Sequence, residues 1–370
     1  MLRELRRPRA WVLAGLVLVL VFAGVKVTSE FGESSNGNAA GTAWKSSTPA
    51  PSAGSASASP SAVTGSPSRS TSPSPRHTER LGASPPPPVE NSRGRCPLPK
   101  YPTPRCTGVP AGTALKTLAL NVDNDAYAVY KAGAVIDGRH IPGHLLIKAP
   151  NVTVKNSQID GTVMNEFGGR YYPYTIIDST VGPATGCITA PGLGYAHYTA
   201  KGVRVRGHDD GFRVDAPGDV RIEDSYAKLC WNPPAVAPPD GSHSGGIQVD
   251  CPTRCGDIVF SHNTVDNRQP NANSGITMQS FAGNIVHGPV TISHNLVGGG
   301  GYVMWPWWYD PAGPEIKYEI HNNRVINKSW AYGPVDANGS CAHQNWSGNT
   351  LVTIDADYNI TSTVGPLPCT

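Results

Sequence analysis

The stretch "VTVKNSQI" (152–159) carries the main evidence for the fold, because its pattern returns along the chain. In each copy, alternating β-branched residues lead to polar residues at a turn. The copies align on Ser157, Ser179, Val203, Ser225, Asn263, Asn295, Asn323 and Asn349, with intervals of 22, 24, 22, 38, 32, 28 and 26 residues. A minimum near 22 residues with insertions in one part of the unit is typical of a solenoid, whose stacked coils share one core.

The residue types at these turns favour strands over helices. Alternation of Val, Ile and Thr dominates, and no amphipathic helical stretch competes with it. Asn and Asp tolerate the left-handed backbone of a tight corner, and stacked copies would form a ladder. A second column of residues opens the following strands: Gly161, Cys187, Gly211, Gly246, Gly275 and Gly301. The sequence therefore predicts an all-β chain folded as a right-handed parallel β-helix of roughly 8–10 coils.

The N-terminal residues are typical of an export segment and a linker. Four arginines within residues 3–9 precede an apolar run from Ala10 to Val25, so residues 1–26 are a signal peptide or an uncleaved signal anchor. Residues 27–95 are rich in Ser, Pro and Ala and are predicted to be a disordered linker, or a stalk if the anchor is retained. We expect an exported protein, secreted or anchored to the outer face of the membrane, with its β-helix in residues 96–370.

All eight cysteines lie within residues 96–370, and an even number in an exported chain predicts disulfides. The sequence-near pairs Cys96–Cys106, Cys251–Cys255 and Cys341–Cys369 leave Cys187–Cys230 as the fourth pair. The alternative for Cys251 and Cys255 is half of a zinc site, although no second half with suitable spacing follows.

The charge distribution argues against a nucleic-acid partner. Residues 1–95 hold 11 Lys and Arg against 5 Asp and Glu, which leaves residues 96–370 near −3 when the chain total is +3. A nucleic-acid binder should instead present a basic face on its folded domain. We expect a monomer whose partner is an extracellular or cell-wall polysaccharide.

Several phrases resemble a known family. "AVIDGRHI", "NVTVKNSQI", "HDDGFRV", "VRIEDSY" and "HSGGIQV" are similar to secreted actinobacterial proteins of the pectate-lyase-like β-helix superfamily, over about residues 96–365. That resemblance implies the fold. It does not select a reaction, since the superfamily includes lyases, hydrolases, epimerases and non-catalytic adhesins.

The phrases "HDDG" (208–211) and "HSGG" (243–246) occupy the same frame in successive coils. Stacking on the glycine column places His208 over His243, Asp209 over Ser244 and Asp210 over Gly245. Phe212, Ile247, Ile276 and Tyr302 would then stack inward. Arg213, Gln248 and Thr277 would point outward, followed two positions later by Asp215, Asp250, Gln279 and Trp305.

This outward patch suits chemistry on a sugar chain, with His208, Asp209, Asp210, Arg213 and His243 as catalytic candidates. Hydrolysis needs two carboxyl groups that flank the glycosidic bond. β-Elimination needs a base and a cation that neutralises a uronate, and Ca²⁺ held by Asp209, Asp210 and Asp250 would supply the cation. The alternative is that Asp-Gly before a strand only turns a corner.

A resemblance to polygalacturonases supports part of this site. Those enzymes carry an Asp-Asp pair and then a histidine beside glycine, which Asp209-Asp210 and His243 match. Their Asp one coil earlier would fall near Thr185-Gly186, where there is none, and their downstream Arg-x-Lys is missing from "SGITMQS". In closer relatives a carboxylate stands where this chain has Gly245.

Aromatic residues follow in "GGGGYVMWPWWYD" (298–310). Aromatic rings pack well against sugar rings, although a loop folded over the coil edge is an alternative. Candidate substrate-binding residues are Asp215, Gln248, Asp250, Gln279, Trp305, Trp307 and Trp308. The sequence favours an exported polysaccharide lyase or glycoside hydrolase. The alternatives are a non-catalytic glycan-binding β-helix at the cell surface and a structural spacer.

Overall fold

Nine stacked coils of parallel strands make up the part of the chain that the structure describes. The computed structural model describes residues 96–251, 254–278, 285–286, 288–307 and 318–370. Among them, three long sheets run the length of the solenoid, and two of these hold nine strands each. The predicted parallel β-helix and its number of coils are therefore confirmed.

Sheet 1 contains β1 (Lys116–Thr117), β4 (Arg139–Ile141), β7 (Gln158–Ile159), β12 (Thr180–Val181), β15 (Arg204–Arg206), β18 (Tyr226–Lys228), β22 (Thr264–Asp266), β26 (Leu296–Gly298), β29 (Arg324–Ile326), β32 (Thr350–Ile354) and β33 (Ile360–Pro366). Sheet 2 contains β3 (Val135–Asp137), β6 (Val152–Lys155), β11 (Tyr174–Ile177), β14 (Tyr198–Lys201), β17 (Val220–Glu223), β21 (Ile258–Ser261), β25 (Val290–Ser293), β28 (Tyr318–His321) and β31 (Gln344–Ser347). Sheet 3 contains β2 (Ala126–Val129), β5 (His144–Ile147), β8 (Val163–Met164), β13 (Ile188–Leu193), β16 (His208–Asp215), β19 (Gly245–Asp250), β23 (Ser274–Thr277), β27 (Tyr302–Trp305) and β30 (Gly333–Val335).

The remaining elements are short. β9 (Glu166–Phe167) and β10 (Arg170–Tyr171) form an antiparallel pair, and β20 (Arg254–Cys255) pairs with β24 (Ile285–Val286). One 3-10 helix spans Ser340–His343. At the C-terminus β33 turns back antiparallel to β32 and covers the end of sheet 1.

The corner between sheet 2 and sheet 1 explains the repeat seen in the sequence. From β6 onward it contains two residues, and the first has positive φ, as in Asn156 (51°), Asp224 (51°) and His294 (55°). Side chains of the second residue bond to the backbone of the adjacent coil: Asn295 Oδ1 accepts from the Asn263 N–H at 2.9 Å. The predicted polar ladder is confirmed, and the insertions fall at the other two corners.

The core is a set of inward columns. On sheet 3, Leu145, Val163, Leu193, Phe212, Ile247, Ile276, Met304 and Val335 stack on one another, and each is at most 3% exposed. Gly211 precedes Phe212, where a Cβ atom would collide with the carbonyl oxygen of Gly246. The glycine column therefore lets neighbouring coils approach closely.

Two predicted alignments on sheet 3 are wrong. Gly192, rather than Cys187, precedes the inward residue Leu193, because the register shifts between Ile188 and Pro191. In the later coil Tyr302 lies opposite Ser274, and Met304 lies opposite Ile276. Met304 therefore fills the interior position that was predicted for Tyr302. The physical reason is that Gly299 and Gly300 take positive φ, so the glycine run belongs to the corner and not to the strand.

Four disulfides join Cys96–Cys106, Cys187–Cys230, Cys251–Cys255 and Cys341–Cys369. All four predicted pairs are confirmed, and the zinc alternative for Cys251 and Cys255 is wrong because the two are bonded to each other. Such disulfides are typical of oxidising, extracellular environments. Among the residues that the structure describes, no helix is long and apolar enough to span a membrane. The predicted export segment 1–26 and linker 27–95 lie outside those residues.

Candidate functional site

The register between coils confirms part of the predicted alignment and corrects one position. Phe212 lies opposite Ile247, and Asp210 contacts the backbone of Gly245. One coil earlier, Pro191 lies opposite Asp210. The position that polygalacturonases fill with an additional Asp therefore falls at Pro191, rather than near Thr185-Gly186.

His208 lies inside the coil. Its side chain is fully buried, and its Nδ1–H donates to the carbonyl oxygen of Ala190 at 3.0 Å. Burial lowers the pKa of His208 to about 4, so the imidazole is neutral at neutral pH. The predicted catalytic histidine is thus placed in the interior and not on the outer face.

Asp209 and Asp210 bond to the corner that surrounds them. Asp209 is 5% exposed and accepts a hydrogen bond from Ser242 Oγ at 2.9 Å. Asp210 Oδ1 accepts from the Gly245 N–H at 2.7 Å. Burial raises the pKa of Asp209. Burial also raises the pKa of Asp210 to about 6, and the charge of Asp209 adds to this effect.

Both interpretations of the Asp-Asp pair have a physical basis in these contacts. The bond from Asp210 to Gly245 ties one coil to the next, as a corner residue would. A carboxyl group with a pKa near neutral is also suited to acid–base catalysis.

The outer face of sheet 3 holds an ion-pair cluster around Arg213. Its Nε donates to Asp215 Oδ1 at 2.8 Å, and its Nη2 donates to Asp250 Oδ2 at 2.5 Å. Burial disfavours the charge of Arg213, but Asp215 and Asp250 outweigh it and hold the pKa of Arg213 above its ordinary value. Arg213 thereby joins two carboxylates from neighbouring coils.

Sequence reasoning missed three residues beside this cluster: Glu166, Tyr171 and Tyr195. Burial raises the pKa of Tyr171 to about 12, and the charges of Asp215 and Glu166 add to it. Burial also raises the pKa of Tyr195, again with Asp215 adding to it. The signal for the first two was the Gly168-Gly169 turn of "EFGGRY", which is typical of a hairpin. Tyr195 carries no comparable signal.

The arrangement of charges bears on the reaction. The Arg213 cluster contains one guanidinium and four nearby carboxylates, those of Glu166, Asp210, Asp215 and Asp250. Elimination from a uronate needs a cation that the substrate can reach, and Arg213 is already engaged by two carboxylates. The predicted calcium ligands are not gathered either. Within the described part of the chain, no group of three or more His, Cys, Asp or Glu residues is placed to hold a metal ion.

An aromatic groove lies beside the later coils. We define it by Asp240, His243, Trp305, Trp330 and Tyr332, and its volume is about 720 Å³. The rings of Trp305 and Trp307 stack with centroids 5.8 Å apart and planes 9° apart, and Tyr302 contacts both Trp305 and Tyr332. Tyr332 is 78% exposed. The sequence analysis places Tyr302 in the core and does not identify Tyr332.

His243 belongs to this groove. It is exposed, and its Nε2 lies 2.8 Å from Asp240 Oδ1. The structure therefore brings His243 together with Trp305 and separates it from the buried His208. The candidates Gln279 and Trp308 lie outside the described residues.

One outward column connects the ion-pair cluster to the groove. Arg213 lies opposite Gln248, Gln248 opposite Thr277, and Thr277 opposite Trp305. Trp305 was predicted to stack in the column of Asp215 and Asp250, but it lies in the column of Arg213, two residues away along the strand. The cause is the glycine run that also shifts Tyr302. Three strand spacings of about 4.8 Å put Trp305 roughly 14 Å from Arg213 on one face.

Comparison of the chain with protein-family models, with curated proteins and with solved structures finds no match. The parallel β-helix accordingly rests on the structure itself. The resemblance to secreted actinobacterial pectate-lyase-like proteins stays a prediction.

Proposed function

We propose that this protein is an exported β-helix that binds a neutral polysaccharide in the aromatic groove. The observation that carries this proposal is the row of rings from Trp307 through Trp305 and Tyr302 to the exposed Tyr332. Aromatic faces pack against the apolar faces of sugar rings, and polar groups at the edge bond to hydroxyls. His243 and Asp240 supply such polar groups at the groove.

Charge favours a neutral glycan over a polyuronate at this face. The outward column that leads from the groove ends at Arg213, whose charge is already balanced by Asp215 and Asp250. Lys328 and Arg268 line the groove, and Arg268 is paired with Asp266, so a polymer with a carboxylate on each sugar would meet repulsion where it extends beyond the groove onto the Arg213 cluster. A neutral chain meets no such repulsion.

Binding of neutral polysaccharide oligomers to the full chain, measured by calorimetry, tests the proposal. Trp305→Ala should lower the affinity at least tenfold, which corresponds to about 1.4 kcal/mol. Tyr130→Ala is the matched control, because Tyr130 is a 66% exposed aromatic residue outside the groove. Equal affinities for the two variants would refute the groove as the binding site.

Cleavage of the bound glycan is a second candidate function, favoured by the raised pKa of Asp210 next to Asp209. With Arg213 engaged, hydrolysis fits the charges better than elimination. Incubation with neutral polysaccharides should then release reducing ends without an unsaturated product, and Asp210→Asn should abolish the release. An unsaturated product would favour the lyase. If no glycan yields a product and binding still depends on Trp305, the protein binds the glycan without cleaving it.

A further inference from the structure

Three hydrogen-bond donors without acceptors lie on neighbouring side chains beside the aromatic groove. They are the indole Nε1–H groups of Trp305 and Trp307 and the hydroxyl of Thr277. Each of these atoms is buried, and within the described part of the chain none has a hydrogen-bond partner. Thr277 is 4% exposed and lies directly opposite Trp305 in the strand register, while Trp307 stacks on Trp305.

These unpartnered donors require an explanation. Buried polar atoms in folded proteins nearly always have a partner, because a buried donor without an acceptor costs free energy. An indole elsewhere in this chain is satisfied: Trp346 Nε1 donates to the carbonyl oxygen of Leu367 at 2.7 Å. The donors of Trp305, Trp307 and Thr277 therefore need an acceptor that the described residues do not supply.

The type of donor restricts the acceptor. An indole N–H donates and cannot accept, so the ligand atom that it meets must accept. A sugar hydroxyl accepts but must also place its own proton, whereas the carbonyl oxygen of an amide only accepts and has two lone pairs. A carboxylate would accept as well, but it would meet the carboxylates of the Arg213 cluster farther along the same column. A neutral amide carbonyl satisfies both conditions.

Two nearby polar side chains suit an amide group that lies on the aromatic rings. Gln248 is opposite Thr277 on the neighbouring strand, and its side-chain amide can both donate to and accept from another amide. The carboxylate of Asp240 lines the groove and can accept a hydrogen bond from the N–H of such a group. The methyl group of an acetamido substituent would pack on the aromatic faces, as the apolar face of a sugar ring does.

We propose that the glycan held in the aromatic groove carries N-acetylated amino sugars, whose amide carbonyl oxygens accept from Trp305, Trp307 and Thr277. This assignment rests on the glycan binding proposed for the groove and names the class of sugar. Both tryptophan rings are only partly buried, so a small turn of each ring brings its N–H to the ligand, and such side-chain adjustments are common on binding. The polymer stays neutral, in keeping with the carboxylates around Arg213.

The test compares oligomers of N-acetylglucosamine with glucose oligomers of the same linkage and length, which differ only in the acetamido group. Calorimetry on the full chain should show binding of the N-acetylated oligomer that is tighter by about tenfold or more, because several hydrogen bonds add to the contact with the rings. If the two oligomers bind equally and Trp305→Ala weakens both, the groove binds glycan but the preference for an acetamido group is refuted. If neither oligomer binds, the glycan-binding function fails and this assignment fails with it.

Two substitutions remove the donors one at a time. Trp305→Phe keeps an aromatic ring and loses the N–H, and Thr277→Val keeps the branched shape and loses the hydroxyl. Each should lower the ratio of the two affinities about threefold or more, because one hydrogen bond to the acetamido group is lost. The matched control is Trp330→Phe, a ring of the same groove whose N–H is not one of the three donors. An unchanged ratio in the first two variants, or an equal fall in the control, would overturn the assignment.

Thermal unfolding of Thr277→Val tests the premise without any ligand. The substitution removes a buried hydroxyl that has no partner among the described residues, so the melting temperature should be equal to that of the wild type or higher. A lower melting temperature would show that the hydroxyl is already satisfied within the protein, which would count against its role as a donor to the glycan.

Discussion

Two consecutive coils turn into sheet 3 with nearly the same residues, yet the two corners have opposite environments. In "GHDDG" (207–211) the histidine is buried, whereas in "SHSGG" (242–246) the histidine is exposed and lines a groove. Only Gly207 separates β15 from β16, so His208 is drawn into the solenoid as part of a strand. Residues 229–244 separate β18 from β19 and carry His243 outward. Loop length before a strand thus decides which copy of a repeated motif faces solvent.

The largest effect that we expect concerns the disulfide beside the first corner. Cys230 donates its N–H to the His208 carbonyl, and Cys187 directly precedes β13. Replacing Cys187 and Cys230 by Ala should lower the free energy of unfolding by about 4 kcal/mol, because the bond closes a loop of 43 residues. Removing Cys251–Cys255, with a separation of 4, should cost about 2 kcal/mol. Urea unfolding measures both losses in the free energy of unfolding. A larger loss for Cys251–Cys255 than for Cys187–Cys230 would contradict the idea that the latter bond fixes the first corner.

The next effect separates the two histidines by stability. His208→Ala removes a fully buried ring and the donor to the Ala190 carbonyl, and we expect a loss of about 2–4 kcal/mol. Chemical denaturation of the variant beside the wild type gives this value. A loss below about 1 kcal/mol would show that His208 is not part of the core.

A smaller effect appears as pH dependence within the first corner. Burial lowers the pKa of His208 to about 4, so its contribution to stability is present above 6.5 and is lost as the pH falls toward 4. Burial raises the pKa of Asp210 from 3.8 to about 6, so folding favours the protonated acid, and its contribution grows as the pH falls through 6. Between about pH 4 and pH 6 the two groups therefore change the free energy of unfolding in opposite directions.

Asp210→Asn should therefore reveal the pH dependence of stability that comes from His208. An asparagine oxygen can still accept from the Gly245 N–H, and the variant should be more stable than the wild type at pH 7. Between pH 7 and pH 5 it should lose about 1 kcal/mol more than the wild type does. Melting temperatures across this range, with Asp357→Asn as an exposed control, measure the difference. Identical pH profiles for Asp210→Asn and the wild type would rule out a raised pKa at Asp210.

The fold was predictable because the corner between sheet 2 and sheet 1 keeps a fixed length and a local chemical requirement. Nearly every coil needs a residue with left-handed backbone followed by Ser or Asn, so this requirement appears in the sequence as a recurring pattern. Disulfide pairing followed from sequence proximity for three bonds and from the remaining two cysteines for the fourth.

The site was less predictable because sheet 3 is entered through corners of variable length. The glycine run 298–301 shifted Tyr302 and Trp305 by two positions, and a one-residue corner buried His208. The approach of Tyr171 and Tyr195 to Asp215 depends on loops that pack across coils, which strand periodicity does not encode.

The smallest change in stability is expected at the second corner. His243 is half exposed and its bond to Asp240 joins two solvent-facing side chains, so His243→Ala should alter the free energy of unfolding by less than about 0.5 kcal/mol. The same variant should weaken binding of neutral oligomers several-fold, since one hydrogen bond at the groove is worth about 1 kcal/mol. His140→Ala is the control, because His140 forms a similar half-exposed pair with Asp160 far from the groove. If His243→Ala and His140→Ala bind glycan equally well, the second corner is no more functional than the first, and the difference between the two corners reflects loop length alone.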